Sequence, residues 1–171
     1  MKKTAVLLSL CLWAPPAWAG SAGGGAPLSF LFLDADAKPV ALGGAYAASA
    51  TDANALRYNP AGLAFLEARH VSLMHASYFQ GASQDYAALS WGGREGGLLK
   101  RGSGFGLMLN SAGFGSVQRT KISDPSGAAS GTFGIRDWEL AAGYGARLAP
   151  DWLGVGAAAK YLREDIDDVS A

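Results

Sequence analysis

From Arg69 onward the chain alternates apolar with small or polar residues at a period of two, the pattern of a β-strand whose faces meet different surroundings. The clearest run covers residues 137–148. Its even positions carry Trp138, Leu140, Ala142, Tyr144, Ala146 and Leu148, and its odd positions carry Asp137, Glu139, Ala141, Gly143, Gly145 and Arg147. The first face suits lipid, with Trp138 and Leu148 near its ends, and the second is small and charged enough to line a lumen. A tight turn at Ala149-Pro-Asp151 leads into a second run, with Leu153, Val155, Ala157, Ala159 and Tyr161 opposed to Gly154, Gly156, Ala158, Lys160 and Leu162. The two runs predict a hairpin, and Asp137, Glu139, Arg147 and Lys160 become the candidate lumen-facing charges.

Weaker alternation predicts earlier strands over 69–78, 86–91 and 102–119. The last has Phe105, Leu107 and Leu109 on one face and a bend at Gly113-Phe-Gly115. Tyr78, Tyr86, Trp91, Trp138, Tyr144, Trp152 and Tyr161 fall near predicted strand ends, where an aromatic girdle would stand. Residues 31–66 show neither period. Pro39 is expected to stop any helix over 36–41, and Gly43-Gly44 to break one. Thr51 or Asp52 can cap a short helix that ends near Asn59, because the residue before Pro60 disfavours the α region. The segment reads as a compact plug of short turns, preceded by a flexible leader over 20–30.

The beginning of the chain changes the picture. Lys2 and Lys3, an apolar stretch from Ala5 to Trp13, and Ala17-Trp18-Ala19 before Gly20 make residues 1–19 a secretory signal peptide, cleaved between Ala19 and Gly20. The stretch is too short for a membrane helix. Cys11 is the single cysteine and leaves with it, which excludes disulfides, cysteine zinc sites and cysteine nucleophiles. Glycine accounts for 24 of 171 residues, about double the usual ~7 %. Charged residues are 16 % with a net charge of zero, which argues against a nucleic-acid partner and against a disordered tail. An exported, glycine-rich, weakly charged chain fits a barrel better than a soluble domain.

Catalytic chemistry finds little support. His70 and His75 point to opposite faces of one strand. The stretch 92–100 has the glycines of a phosphate loop without its Gly-Lys-Ser/Thr ending. The acidic group Glu164, Asp165, Asp167 and Asp168 lacks a loop glycine, so a solvated loop is expected rather than a calcium site. No cofactor is expected, and the chain reads as a non-enzyme. About five strands are predicted where single-chain bacterial barrels start at about eight. The fold expected is therefore all-β, the N-terminal part of a longer antiparallel outer-membrane barrel over 67–171 behind a plug over 31–66. A soluble five-strand domain is the competing reading.

One stretch carries a resemblance. The run "ALGGAYAASATDANALRYNPAGLA" over 41–64 resembles the N-terminal signature of the PorV/PorQ family of outer-membrane barrels and, more distantly, the FadL family of long-chain fatty-acid transporters. The matching positions include Gly43, Gly44, Asp52, Asn59, Pro60, Ala61 and Gly62. The resemblance implies a barrel of about fourteen strands, within the bacterial range, whose N-terminal residues fold inward as a hatch. In that hatch Gly43 and Gly44 would pack on the wall or take positive φ, Asn59-Pro60 would fix a turn, and Asp52 would be the one buried charge, capping a helix. It further implies an outer-membrane location in a Gram-negative-type bacterium, contact with outer-membrane lipid, and a secreted protein or secretion apparatus as partner. The more distant likeness implies a hydrophobic ligand instead.

Overall fold

The computed structural model describes residues 28–93, 102–127, 130–149, 152–166 and 169–170. The signal peptide with its Ala19–Gly20 junction, most of the leader, most of the 92–100 stretch, the Pro150-Asp151 turn and Asp167-Asp168 lie outside the described residues. Six strands form one antiparallel sheet in chain order: β1 (Arg69–Ser77), β2 (Ala82–Gly92), β3 (Ser103–Gln118), β4 (Thr132–Ala149), β5 (Leu153–Ile166) and the short β6 (Val169–Ser170). The all-β antiparallel expectation is met. Two strands begin earlier than the alternation suggests, because Ser83, Gln84 and Asp85 in β2 and Thr132 to Arg136 in β4 carry no regular apolar face. The expected bend in β3 is a bulge, where the register with β4 shifts between Gly113 and Ser116 and Gly115 takes φ 71°.

The register keeps like residues with like. On one face Leu73, Ala87, Leu109, Leu140 and Tyr161 stand side by side across five strands, and so do Val71, Leu89, Leu107, Ala142 and Ala159. On the other face stand Met74, Tyr86, Asn110, Glu139 and Leu162, beside Ser72, Ala88, Met108, Ala141 and Lys160. A one-residue slip would exchange these sets, so the pattern itself fixes the pairing. We call the second face inner, because residues 28–66 cover it.

That covering segment is built from single turns. They are 3₁₀ turns at Ser29–Phe32 and Pro60–Phe65, the helix α1 (Ala37–Ala41) and the helix α2 (Ala55–Tyr58). Pro39 does not prevent α1. It occupies the first turn, where backbone N–H groups have no intrahelical acceptor, so its missing donor costs nothing. Asp36 caps the turn by accepting from the Lys38 N–H. Gly43 and Gly44 then end the helix: the Gly44 N–H donates to the Pro39 carbonyl at 3.0 Å and the Gly43 N–H to the Val40 carbonyl at 3.0 Å. This is the paired-bond terminus that needs a left-handed residue, and Gly43 supplies it with φ 58°. Asn59 stops α2 in an extended conformation and holds the following turn from both sides. Its Oδ1 accepts from the Ala61 N–H at 3.2 Å and its Nδ2 donates to the Ala47 carbonyl at 3.0 Å.

The core lies between plug and sheet. It joins Ala35, Tyr46, Ala50, Ala53, Ala55, Leu56, Leu63 and Leu66 to Tyr86, Ala88, Met108 and Ala141. Tyr86 therefore belongs to the core and not to an aromatic girdle, since its even position in β2 turns it inward. The plug reaches the sheet because the inner face is glycine where it arrives. Gly104, Gly145 and Gly156 stand side by side across β3, β4 and β5. A Cβ added at Gly104 would lie 2.0 Å from the Leu63 carbonyl oxygen, one at Gly145 2.7 Å from that of Pro60, and one at Gly156 2.3 Å from the Pro60 carbonyl carbon. Backbone packs on backbone here, and any side chain would lift the 60–65 turn away. Gly62 is equally confined, with the Ala50 carbonyl oxygen 1.9 Å from its ideal Cβ.

Gly145→Ala or Gly156→Ala is expected to destabilise the docked plug by about 1–3 kcal/mol, the usual cost of overpacking. Gly134→Ala, whose nearest neighbour would be 3.8 Å away, is expected to be neutral. Urea titration followed by tryptic cleavage at Arg57 measures both, and equal midpoints for Gly145→Ala and Gly134→Ala would show that the close approach is unimportant.

Candidate functional site

The strongest feature of the plug–sheet interface is a buried carboxylate. Glu139, on the inner face of β4, has no solvent exposure, and its Oε2 accepts from Arg57 Nη1 at 2.7 Å while its Oε1 accepts from Lys160 Nζ at 2.8 Å. Arg57 is delivered by α2 and is itself nearly buried. Its second nitrogen, Nη2, donates to the carbonyls of Leu33 at 2.7 Å and Leu31 at 3.2 Å. One guanidinium thus ties the sheet, α2 and the first turn of the plug together. A buried charge survives only when paired and hydrogen-bonded, and Glu139 has two cations and a third donor, Asn110 Nδ2, at 3.5 Å.

The polar contacts continue along the inner face. Asn110 Oδ1 accepts from Gln84 Nε2 at 3.0 Å, and Gln84 Oε1 accepts from the Tyr78 hydroxyl at 2.9 Å. Tyr78, just past the end of β1, is thus joined through Gln84 on β2 and Asn110 on β3 to Glu139 on β4 by a chain of hydrogen bonds.

A second cluster holds the plug to β1. Asp36 Oδ2 accepts from Asn54 Nδ2 at 2.8 Å and from the Ser72 hydroxyl, and Asp36 itself sits at φ 76°. Burial alone would push its carboxyl up; the hydrogen bonds from Ser72, Asn54 and the Lys38 and Ala37 N–H groups outweigh it and hold the group below its ordinary value of 3.8. Nearby, the Tyr58 hydroxyl donates to Asp34 Oδ1 at 3.0 Å and accepts from the Ala35 N–H at 3.0 Å.

All four candidate lumen-facing charges stand on the inner face, but they do not share one role. Glu139 and Lys160 form the cluster above. Arg147 donates through Nε to the Ala64 carbonyl at 3.0 Å and lies over the Phe65 ring, 4.8 Å from its centroid. Asp137 is buried beside Glu164, and its Oδ1 has no hydrogen-bond partner among the described residues. Asp52 is not the one buried charge, since Glu139 is far more enclosed. Nor does it cap the helix: Asn54 is the N-cap of α2, and Asp52 accepts from the Asn54 N–H just ahead of it, as well as from the Tyr46 hydroxyl and Lys38 Nζ.

Sequence reasoning missed Arg57, Asn110, Gln84 and Asp36. A lone arginine inside an Ala-Leu helix was the available signal for Arg57, and alternation extended through Asn110 would have placed that residue inward. Nothing local marks Asp36. Among the described residues no three His, Cys, Asp or Glu side chains gather as a metal site. His75 is paired with exposed Asp85 at 2.7 Å, while His70 turns to the other face. No helix among the described residues is long and apolar enough to cross a membrane, which says nothing of crossing by strands.

The outer face has the opposite character. Its apolar side chains are uncovered: Leu73 is 78 % exposed, Leu140 54 % and Tyr161 62 %. This band runs past a row of Trp91, Phe105 and Tyr144 to the exposed Val155, Leu153 and Leu148 at one end. At the other end it is bounded by a row of His75, Asp85, Ser111, Trp138 and Arg163. Comparisons with protein-family models, curated proteins and solved structures return no match.

Arg57→Ala, which leaves Glu139 with a partly exposed lysine alone, is expected to destabilise the docked plug by about 3–5 kcal/mol. The pair Arg57→Met with Glu139→Met is expected to cost less than either change singly, and a urea midpoint for chymotryptic cleavage at the buried Tyr46 would reveal the opposite order. Asp36 adds a pH dependence. Its folded-state pKa is lowered, so its contribution is complete about a unit above 3.8 and is lost as pH falls through the lower folded value. The urea midpoint should drop over roughly pH 5 to 3, and Asp36→Asn should flatten this part of the curve.

Proposed function

We propose that the chain is part of a non-enzymatic outer-membrane β-barrel of PorV/PorQ type, with residues 28–66 as an internal plug, that assists protein secretion or cell-surface assembly. The observation that carries this reading is the sorting of the two sheet faces: the outer one apolar, continuous and exposed, the inner one polar or glycine and occupied. A soluble protein rarely leaves so broad an apolar face uncovered, and in hydrocarbon the same face is matched to its solvent. The dimensions agree. Trp138 and Leu148 are ten residues apart, about 34 Å along a strand at ~3.4 Å per residue and about 26 Å once a ~40° barrel tilt is applied, against an apolar band of ~25 Å.

In this reading the free edge of β1, and that of β5 beyond its short pairing with β6, pair with further strands, because an open edge is not tolerated in hydrocarbon. The inner face favours a scaffold over a conduit for hydrophobic molecules, since its central rows carry Glu139, Lys160, Asn110 and Gln84 and its glycine patch is filled by the plug.

Cells expressing the full reading frame test this. Expected is an outer-membrane band whose gel migration changes on heating, copurifying with a polypeptide. A soluble periplasmic product that migrates alike heated and unheated would overturn the membrane reading. An outer-membrane product retaining fatty acids or aromatic hydrocarbons and no polypeptide would replace secretion with transport of hydrophobic molecules.

A further inference from the structure

At one end of the outer face the apolar rows give way to charge, and the change is organised around Trp138. On one side of this indole lies a groove of about 510 Å³ with Leu73, Ala87 and Leu109 in its wall and Arg136 at its rim. On the other side lies a second groove of about 470 Å³, with Leu109, Leu140 and Tyr161 in its wall and Arg163 at its rim. Each groove is apolar at one end and polar at the end that holds its guanidinium, where the first also carries His75, Asp85 and Ser111 and the second Asp165. Arg136 lies over the indole, 6.0 Å from the ring centroid, and makes no ion pair among the described residues. The carboxylates nearby are already engaged: Asp85 with His75 at 2.7 Å and Asp165 with Arg163 at 2.8 Å.

We propose that Arg136, beside Trp138, binds the phosphate headgroup of an anionic lipid whose acyl chains lie in the two grooves. Three features select this occupant. The grooves open onto the apolar band and are continuous with it, so the ligand's tail must be hydrocarbon. The row holding Arg136 also holds Ser77, Ser83, Gly113 and Asp165, which places it just beyond the apolar rows, at headgroup depth. The cation without an ion pair among the described residues, Arg136, is a planar guanidinium, which pairs with phosphate through two parallel N–H groups. Two chains divided by one indole match a diacyl lipid better than a single-chain detergent or a free anion.

The inference rests on the membrane reading above, and the test separates the two. The full chain is inserted into vesicles of phosphatidylcholine, alone or mixed with phosphatidylglycerol of the same acyl chains, and insertion is scored by heat-modifiable migration. Lipid retained after gentle extraction is read by native mass spectrometry. Expected is retention of phosphatidylglycerol over phosphatidylcholine by roughly fivefold, the factor that one arginine at a membrane surface supplies. Arg136→Gln should abolish the preference, while Arg136→Lys should keep part of it and Lys121→Gln all of it. Inorganic phosphate in the buffer should not displace the lipid; displacement would make the free anion the ligand and overturn the proposal. Normal insertion with equal retention of both lipids overturns the headgroup site alone, and failure to insert into either vesicle overturns it together with the membrane reading.

Discussion

The contact between Arg57 and Glu139 organises the molecule. A carboxylate without solvent exposure is tolerable only if its charge is met from close by, and Glu139 draws Arg57 from the plug and Lys160 from β5 to meet it. Once Arg57 is committed, its remaining nitrogen fixes the carbonyls of Leu31 and Leu33, and the leading turn of the plug has no freedom to dock elsewhere. A hydrophobic pair of the same volume could hold the two layers together equally well, but it would accept sliding. The guanidinium fork accepts only one register, so the ion pair supplies position more than strength.

Around that point the two layers fit because each lacks what the other projects. Leu56 and Leu63 stand over Gly143, Gly106 and Gly104, and the plug's own close contacts are made by backbone. Apolar area per residue is therefore small in this core, which consists largely of alanine with a few leucines, two tyrosines and a methionine. The inner hydrogen bonds of Tyr78, Gln84 and Asn110 and the Asp36 cluster supply the directionality that bulky packing supplies elsewhere. The large apolar side chains are on the other side of the sheet.

The strands were readable wherever one face was apolar and the other was not, as in 137–148 and 153–162, since period two leaves no alternative when every second residue is Trp, Leu, Tyr or Ala. Reading failed where that contrast fades: the start of β2 at Ser83-Gln84-Asp85, and Tyr86, whose ring chemistry suggested a girdle although its parity turns it inward. The plug was readable through its punctuation, Gly43-Gly44 and Asn59-Pro60, because these residues act through their own backbone. Its attachment was not, because Arg57 meets Glu139 across 82 positions and nothing in the chain near either residue announces the other. Pro39 misled by its usual meaning, which does not apply in the first turn of a helix.

The glycine patch sets an order of events. Residues 60–65 are made before any strand, yet the surface that receives them is made of Gly104, Gly145 and Gly156, and the last of these comes from β5. Until β5 has paired, the plug's platform is incomplete and Glu139, on β4, lacks its second cation, Lys160. The earlier-made part of the chain must then wait, uncommitted, for the strand that completes its platform. Contacts of such long sequence separation close slowly, so the molecule's N-terminus would be the part most in need of protection while the sheet assembles.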